Sequence, residues 1–220
     1  MKKPLIVIFL GRPGSGKGTQ AKLLGKKFGL DYIGSGDLVR SRKLKGDFTG
    51  KTIAKIMDKG GLIPTPIIFK LWLDNLEDLK KKKNLKGFVV DGSPRKILEA
   101  YLIDEVLEWY GWQKDVKIVL IDISKKEAFH RLTKRRQCKK CGRLIPWVGD
   151  FKKLKKCDKC SGSLVIRIDD DIQAIKKRFQ EFEKETKPVI NYYKKQKKLI
   201  KINGEQGIED VFEDILKVIK

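Results

Sequence analysis

GRPGSGKGT, residues 11–19, is the stretch of this chain that decides its fold. The apolar run before it, residues 5–10, has the composition of a buried strand, and residues 20–28 after it have the periodicity of an amphipathic helix. A glycine-rich turn between a buried strand and a helix is the setting of a P-loop, where consecutive backbone N–H groups point at an anion. The sequence therefore predicts a phosphate-binding loop, with Lys17 reaching the β- and γ-phosphates of a nucleotide.

Size, charge and hydropathy limit the class of protein. The 220 residues carry 51 Lys and Arg against 28 Asp and Glu, a net charge of +23. No apolar run approaches the ~20 residues of a membrane helix. We expect a cytoplasmic protein with no membrane partner, because the first strand and the loop follow Met1 so closely that a signal peptide would cut through the site.

The basic composition suits either a polyphosphate ligand or nucleic acid. Lysine runs at residues 80–83, 152–156 and 194–198 lack the interleaved aromatic side chains of a base-stacking surface. We therefore expect no specific nucleic-acid partner. A zinc-ribbon nucleic-acid-binding protein stays open as a remote alternative.

Four cysteines form two C-x₂-C pairs with fifteen residues between them: Cys138, Cys141, Cys157 and Cys160. This spacing is typical of a tetrahedral zinc site, and five lysines nearby would offset the excess charge of four thiolates. Disulfides are the competing interpretation, but a cytosolic chain keeps its thiols reduced. The sequence predicts structural Zn²⁺.

Further short apolar runs predict four more strands, at residues 31–33, 87–91, 117–122 and 198–202. Continuous apolar runs bounded by Gly and Asp indicate strands that are buried on both faces of a parallel sheet. Because these strands alternate with helical stretches, we predict an α/β chain with a three-layer, doubly wound architecture and a five-stranded parallel sheet.

Several motifs, in order along the chain, carry a resemblance to a known family. GxPGxGKGT, with Gly18 where most P-loops have Ser or Thr, resembles the nucleoside monophosphate kinases and the adenylate kinase family most of all. Similar segments follow: IGSGDLVR at residues 33–40, MDKGGLIP at 57–64, VVDGSPR at 89–95, RLTKRRQC at 131–138 and the arginines and aspartates of residues 167–178. The resemblance covers residues from about 5 to about 218.

The resemblance implies a P-loop kinase with two inserted subdomains. Residues 1–33, 64–133 and 171–220 would form the CORE, residues 34–63 the subdomain that binds the acceptor monophosphate, and residues 134–170 a zinc-bearing flap called the LID. It also implies a monomer whose small-molecule substrates are ATP and AMP, with Mg²⁺ accompanying ATP.

The resemblance also implies the site residues. The carboxylate of Asp91 would bind Mg²⁺ through the metal's water molecules, and Asp169 and Asp170 would hold arginines when the flap closes. The catalytic cations would be Lys17, Arg95, Arg131, Arg135, Arg167 and Arg178. ATP would contact Gly14, Ser15, Gly16, Lys17, Gly18, Thr19, Arg131, Arg135, Leu144, Ile145 and Gln206. AMP would contact Ser35, Arg40, Gly61, Leu62, Ile63, Gly92, Ser93, Pro94, Arg95, Glu99, Arg167 and Arg178.

Glu99 departs from the family pattern, which has glutamine where the acceptor base is read. An ionised carboxylate only accepts hydrogen bonds, so it suits the two adjacent N–H donors of guanine better than the N1 lone pair of adenine. The sequence predicts reversible transfer of the ATP γ-phosphoryl group to AMP, giving two ADP. A kinase for GMP, UMP or CMP is the alternative.

Overall fold

The computed structural model describes residues 4–167 and 170–219, apart from the side chain of Asp115. Five strands form its central sheet: β1 (Leu5–Leu10), β2 (Asp31–Gly34), β3 (Gly87–Asp91), β4 (Val116–Asp122) and β8 (Leu199–Asn203). They are all parallel, in the order β2-β3-β1-β4-β8. The prediction of a five-stranded parallel sheet is confirmed.

Nine α-helices are found in the described part of the chain. They are α1 (Lys17–Phe28), α2 (Ser35–Lys43), α3 (Phe48–Asp58), α4 (Thr65–Lys80), α5 (Ile97–Trp109), α6 (Lys125–Lys134), α7 (Ile172–Glu181), α8 (Lys187–Lys195) and α9 (Ile208–Ile219). Short 3₁₀ turns occupy Gln113–Asp115 and Gly149–Lys153, and a π-helical turn, Phe182–Thr186, joins α7 to α8.

The sheet is covered on both faces because alternate residues of each strand point to opposite sides. Ile6 and Ile8 of β1 pack with α4, α5 and α8 around Trp72, whereas Val7 and Phe9 pack with α1 and α9. This arrangement is the three-layer architecture expected from continuous apolar strands.

The two predicted subdomains contain compact structure of their own. Residues 34–63 include α2 and α3, and Val39, Ile53 and Ile63 form a small apolar cluster there with Ile68 of α4. Residues 134–170 include an antiparallel sheet in the order β6-β5-β7, formed by β5 (Arg136–Cys138), β6 (Leu144–Ile145) and β7 (Leu164–Ile166). The sequence did not predict this small sheet. No helix in the described part of the chain has the length and apolarity needed to span a bilayer.

Candidate active site

The glycine-rich loop connects β1 to α1, as the sequence predicted. Gly14 and Gly16 adopt φ of 87° and 94°, which side chains with a Cβ rarely adopt. The buried Ser15 donates its backbone N–H to the carbonyl of Arg12 at 3.1 Å, which closes a turn just before the helix. A Cβ on Gly14 would lie 2.9 Å from the carbonyl of Ala128 in α6, so the loop needs glycine there for space as well.

Lys17, the first residue of α1, bends back over the loop. Its Nζ donates to the carbonyls of Gly11 at 2.8 Å and Arg12 at 3.0 Å. Burial lowers the pKa of Lys17 to about 8; the nearby carboxylate of Asp91 opposes this change, and three guanidinium groups add to it. An ammonium group surrounded by other cations is a site prepared for an anion with several charges.

Asp170 joins two of the predicted arginines. Its fully buried carboxylate accepts from Arg135 Nε at 2.8 Å and Nη2 at 2.7 Å, and from Arg178 Nη1 at 2.7 Å. Such a bidentate guanidinium–carboxylate pair fixes the orientation of the arginine side chain as well as its position. Asp169, for which a similar role was predicted, lies outside the described residues.

Two further arginines are oriented by main-chain carbonyls. Arg131 in α6 donates from Nη2 to the carbonyl of Gly204 at 2.9 Å and from Nε to Glu127 at 2.6 Å. Arg95 donates from Nε to the carbonyl of Gly92 at 2.7 Å. Thr186, in the π-helical turn, donates to the carbonyl of Arg95 at 3.1 Å and so ties this segment to the helices beyond.

One cavity of about 1100 Å³ brings most of the predicted site residues together. All six predicted cations line it: Lys17, Arg95, Arg131, Arg135, Arg167 and Arg178. The other predicted residues along its wall are Gly14, Ser15, Gly16, Gly18, Thr19, Ser35, Arg40, Gly61, Leu62, Ile63, Asp91, Gly92, Ser93, Pro94, Glu99, Leu144 and Gln206. The side chain of Ile145 is fully buried, so its predicted contact could come only from its backbone.

The part of the cavity near α2 and α5 contains small polar groups on an apolar wall. The hydroxyl groups of Ser35 and Ser93 form a hydrogen bond of 2.7 Å, and both side chains are buried. Arg40 pairs with Asp37 one turn earlier on α2. Glu99 is only 4% exposed, and its Oε2 accepts the backbone N–H of Arg95 at 2.7 Å.

Glu99 thus holds the backbone just before α5 as well as lining the cavity. Burial raises the pKa of its carboxyl group, while the Arg95 N–H acts in the opposite direction. Recognition of the acceptor base by Glu99 stays a prediction.

Asp91 ends β3 beside the loop, and the hydroxyl of Tyr32 donates to its Oδ2 at 3.1 Å. Burial raises the pKa of Tyr32, and the negative charge of Asp91 adds to this effect, so the hydroxyl keeps its proton. The carboxylate of Asp91 and the hydroxyl of Thr19, which both belong to residues lining the cavity, are the hard oxygen ligands that suit Mg²⁺ or its bound water.

The four cysteines converge within residues 134–170, the segment predicted to form the LID. Their sulfur atoms all lie within 4.8 Å of one another; Cys138 and Cys160 are 3.4 Å apart, and Cys141 and Cys157 are 3.7 Å apart. Tetrahedral ligation with Zn–S near 2.3 Å would separate sulfur atoms by about 3.8 Å, so this cluster fits zinc. Backbone N–H groups of Cys141 and Lys159 each point at a cysteine sulfur at 3.4 Å, as expected where thiolates are ligands.

Sequence reasoning missed two side chains at the edge of the site. Arg12 lies with its guanidinium carbon 4.6 Å from the centre of the Phe182 ring and donates to Glu183 at 2.7 Å. Tyr32 contacts Asp91, as described above. Both contacts join residues that are far apart in sequence, and no local pattern signals them.

The fold and the site together define a P-loop α/β phosphotransferase. An adenylate kinase family model matches residues 9–198. Relatives named adenylate kinase include those of Petrotoga mobilis, 36% identical over 97% of both chains, and Archaeoglobus fulgidus, 35% identical over 97% of both. A third, from Caldanaerobacter subterraneus subsp. tengcongensis, is 38% identical over 97% of this chain and 95% of its own.

The chain therefore belongs to the adenylate kinase family. The resemblance read from its motifs is confirmed at the level of the family.

Proposed function

We propose that this protein transfers the γ-phosphoryl group of Mg-ATP reversibly to AMP, giving two ADP. The observation that carries the proposal is the convergence of all six predicted cations on one cavity beside the P-loop. The names of the relatives and the match to the adenylate kinase model support the same reaction.

In this reaction an oxygen of the AMP phosphate attacks the γ-phosphorus of ATP, and the bond from that phosphorus to the β–γ bridging oxygen breaks. Charge develops on oxygens at both ends of the transferred group. Catalysis then depends on alignment and on neutralising that charge, which cationic side chains fixed in advance supply without reorganising. The arginine pair held by Asp170 and the lysine held over the loop are prepared in this way.

The cavity divides into donor and acceptor parts under this proposal. The loop residues, Arg131, Arg135, the LID at Leu144 and Ile145, and Gln206 would hold ATP. Ser35, Arg40, the segment Gly61–Ile63 and the segment Gly92–Arg95 would hold AMP, and Arg167 and Arg178 would lie between the phosphates. Mg²⁺, when bound with ATP, would neutralise phosphate charge, and Asp91 and Thr19 are the residues placed to orient it.

We propose a structural role for zinc in the LID, because the four sulfur atoms have the spacing of a closed Cys₄ site. The division into CORE, acceptor-binding subdomain and LID follows the same proposal, in which the flap shuts before transfer and keeps water from the phosphoryl group. The monomeric state and the cytoplasmic location stay predictions of the sequence.

A coupled assay for ADP tests the function directly, with ATP and each of AMP, GMP, UMP and CMP as acceptor. We expect AMP to give the highest kcat/KM and Lys17→Ala to abolish transfer in a folded protein. Full activity of Lys17→Ala, or no transfer to any monophosphate, contradicts the proposal.

A kinase directed at GMP is the second candidate, and the observation that favours it is that Glu99 places a carboxyl group, not an amide, on the wall of the cavity. The variant Glu99→Gln keeps an oxygen that accepts the N–H of Arg95 and gains an amide group that donates. If the ionised carboxylate selects guanine, the variant shifts the ratio of kcat/KM values towards AMP. The ratio is measured in a single preparation, so differences in folded fraction cancel. Glu105→Gln, an exposed glutamate on the same helix, is the matched control.

A further inference from the structure

Tyr32 reaches across the sheet edge to the residue that ends the neighbouring strand. It lies in β2, which pairs with β3 so that Gly34 stands opposite Asp91. Its hydroxyl donates to Asp91 Oδ2 at 3.1 Å, and both residues line the large cavity. Lys22 of α1 covers the other side of the ring, with Nζ 5.1 Å from the ring centre. The tyrosine is therefore held between α1 and the carboxylate.

Two glycines leave the space that this contact needs. A Cβ on Gly34 would lie 2.6 Å from Tyr32 Cε1 and 2.7 Å from its hydroxyl. A Cβ on Gly18 would lie 2.7 Å from Asp91 Oδ2. Gly34 has an extended φ of −98° and Gly18 is helical, so neither position needs glycine for its backbone. Space around the tyrosine–aspartate pair is a physical reason for glycine at both positions, and at Gly34 the carboxylate of Asp37, 2.8 Å from such a Cβ, adds to it.

Gly18 has a further consequence for the metal. Most P-loops carry Ser or Thr directly after the lysine, where the hydroxyl is a ligand of Mg²⁺. In this chain the approach of Asp91 excludes any side chain at that position without a shift of the carboxylate. The orientation of the water molecules bound to Mg²⁺ then depends more on Asp91 than it would in a P-loop with Ser or Thr at this position.

We propose that Tyr32 is a positioning residue for Mg²⁺, and that it acts by fixing the orientation of the Asp91 carboxylate. The inference rests on the proposed function, because Mg-ATP is the ligand that brings the metal. Mg²⁺ demands a near-ideal octahedral arrangement and keeps several of its waters, so the groups that accept from those waters must be oriented accurately. A hydroxyl that holds one carboxylate oxygen leaves the remaining lone pairs of Asp91 in a defined direction.

The variant Tyr32→Phe removes the hydroxyl and keeps the ring. The chain offers a matched control in Tyr192→Phe, which also removes a tyrosine–aspartate hydrogen bond, from Tyr192 to Asp104 at 2.8 Å. Neither residue of that pair lines the cavity. Isothermal titration calorimetry measures the affinity for ATP twice, once with excess Mg²⁺ and once in Mg²⁺-free buffer without a chelator, so that metal bound by the cysteines is retained.

Residues that orient a metal's ligands typically change metal affinity 10- to 100-fold when they are replaced. We expect Tyr32→Phe to weaken Mg-ATP binding by about tenfold, at the low end of that range, and to leave metal-free ATP binding within about twofold of the wild type. Tyr192→Phe should change neither affinity. The Mg²⁺ concentration for half-maximal activity should rise in parallel in Tyr32→Phe alone.

An equal loss of both affinities in Tyr32→Phe would show that the hydroxyl supports the loop and has no special relation to the metal. No change in either affinity would overturn the inference as well. Failure of the wild type to phosphorylate any monophosphate would count against the proposed function only, since the two binding measurements do not depend on an acceptor.

Discussion

Arg135 donates two hydrogen bonds to the two oxygens of Asp170, at 2.7 and 2.8 Å, and the carboxylate between them is fully buried. Arg178 adds a third bond to the same group. One anion thus holds two of the cations that line the cavity, and these come from positions 43 residues apart in the chain. Without that anion the two guanidiniums would repel each other.

The variant Asp170→Asn keeps the volume of this side chain and removes its charge. Breaking a buried ion pair by removing one partner costs about 3–5 kcal/mol, and we expect the lower value because the arginines are partly exposed. For a chain of this size about 3 kcal/mol lowers Tm by about 6–12 °C. We also expect kcat to fall by at least about tenfold, because the arginines lose their fixed positions.

Thermal melting and steady-state kinetics check this prediction. Asp74→Asn is the matched control, since Asp74 pairs with Lys70 on the exposed face of α4 and such pairs contribute less than about 1 kcal/mol. Wild-type Tm and kcat in Asp170→Asn would show that the arginines are held by other means.

The pKa of Lys17 predicts how nucleotide affinity depends on pH. Its folded value of about 8 lies below the ordinary 10.5 because the protonated form is buried among cations. Bound phosphate favours the protonated form, so ATP affinity should fall as pH rises through 8, by up to about tenfold per pH unit above it. The stability of the fold depends on pH in the opposite direction. Lys17 binds its proton more tightly in the unfolded chain than in the folded one, so its contribution to the free energy of unfolding rises with pH between about 8 and 10.5.

Calorimetry in two buffers of different ionisation enthalpy measures both the affinity and the proton uptake on binding ATP. We expect net uptake at pH 9 and almost none at pH 6.5. In Lys17→Met both the slope and the uptake should disappear. A wild-type affinity that is constant from pH 7 to 9.5 contradicts the assignment.

Local patterns were sufficient to predict the central sheet and the loop. The strands are short and largely apolar, continuously so in β1 and with one lysine within β4 and within β8, and the loop carries its glycines and lysine at fixed spacing, so both signals lie within ten residues. The convergence of the four cysteines could also be predicted, because the spacing within each C-x₂-C pair is local.

Contacts between distant segments could not be predicted in this way. Arg12 meets Phe182, and Tyr32 meets Asp91, only because the fold brings separate strands and helices together. The small antiparallel sheet within residues 134–170 was missed because its strands have two or three residues each, too few for a period of two to be visible. The contact of Glu99 with the backbone of Arg95 was missed, since a side chain that bonds to a backbone N–H leaves no trace in side-chain composition.

Removal of zinc should loosen the LID and leave the P-loop intact. The cysteines bring together the turns around β5 and the segment before β7, and without metal those short strands have little apolar area to hold them. We expect a zinc-selective chelator, with Mg²⁺ kept in excess, to lower Tm and to expose residues 134–170 to proteolysis. ATP binding should persist, and metal analysis of the untreated protein should give zinc in equal amount to the chain.

Cys157→Ser provides the matching variant, because Cys157 is buried within the cluster and is not among the residues lining the cavity. It should reproduce the lower Tm without a chelator. Immediate loss of transfer in a chelated enzyme that remains folded and protease-resistant would instead require a catalytic role for the metal.

The contact between Gly34 and Tyr32 predicts a steric coupling that can be measured. Gly34→Ala places a Cβ 2.6 Å from the tyrosine ring, and overpacking of this kind costs about 1–3 kcal/mol of unfolding free energy. In a Tyr32→Ala background the same substitution should cost at least about 1 kcal/mol less, since the ring is gone and only the end of the Asp37 side chain, whose Oδ2 would lie 2.8 Å from the new Cβ, has to move. Urea unfolding of the four proteins gives the coupling energy, expected at about 1 kcal/mol or more.

Gly46→Ala is the control for this double-mutant cycle. Its φ of 70° makes alanine unfavourable there, but a Cβ would have nothing within 4 Å, so the cost arises from the backbone alone. That cost should be the same with and without Tyr32. If Gly34→Ala and Tyr32→Ala were also additive, the ring would not occupy the space beside Gly34, and the reason given for a glycine at this position would be wrong.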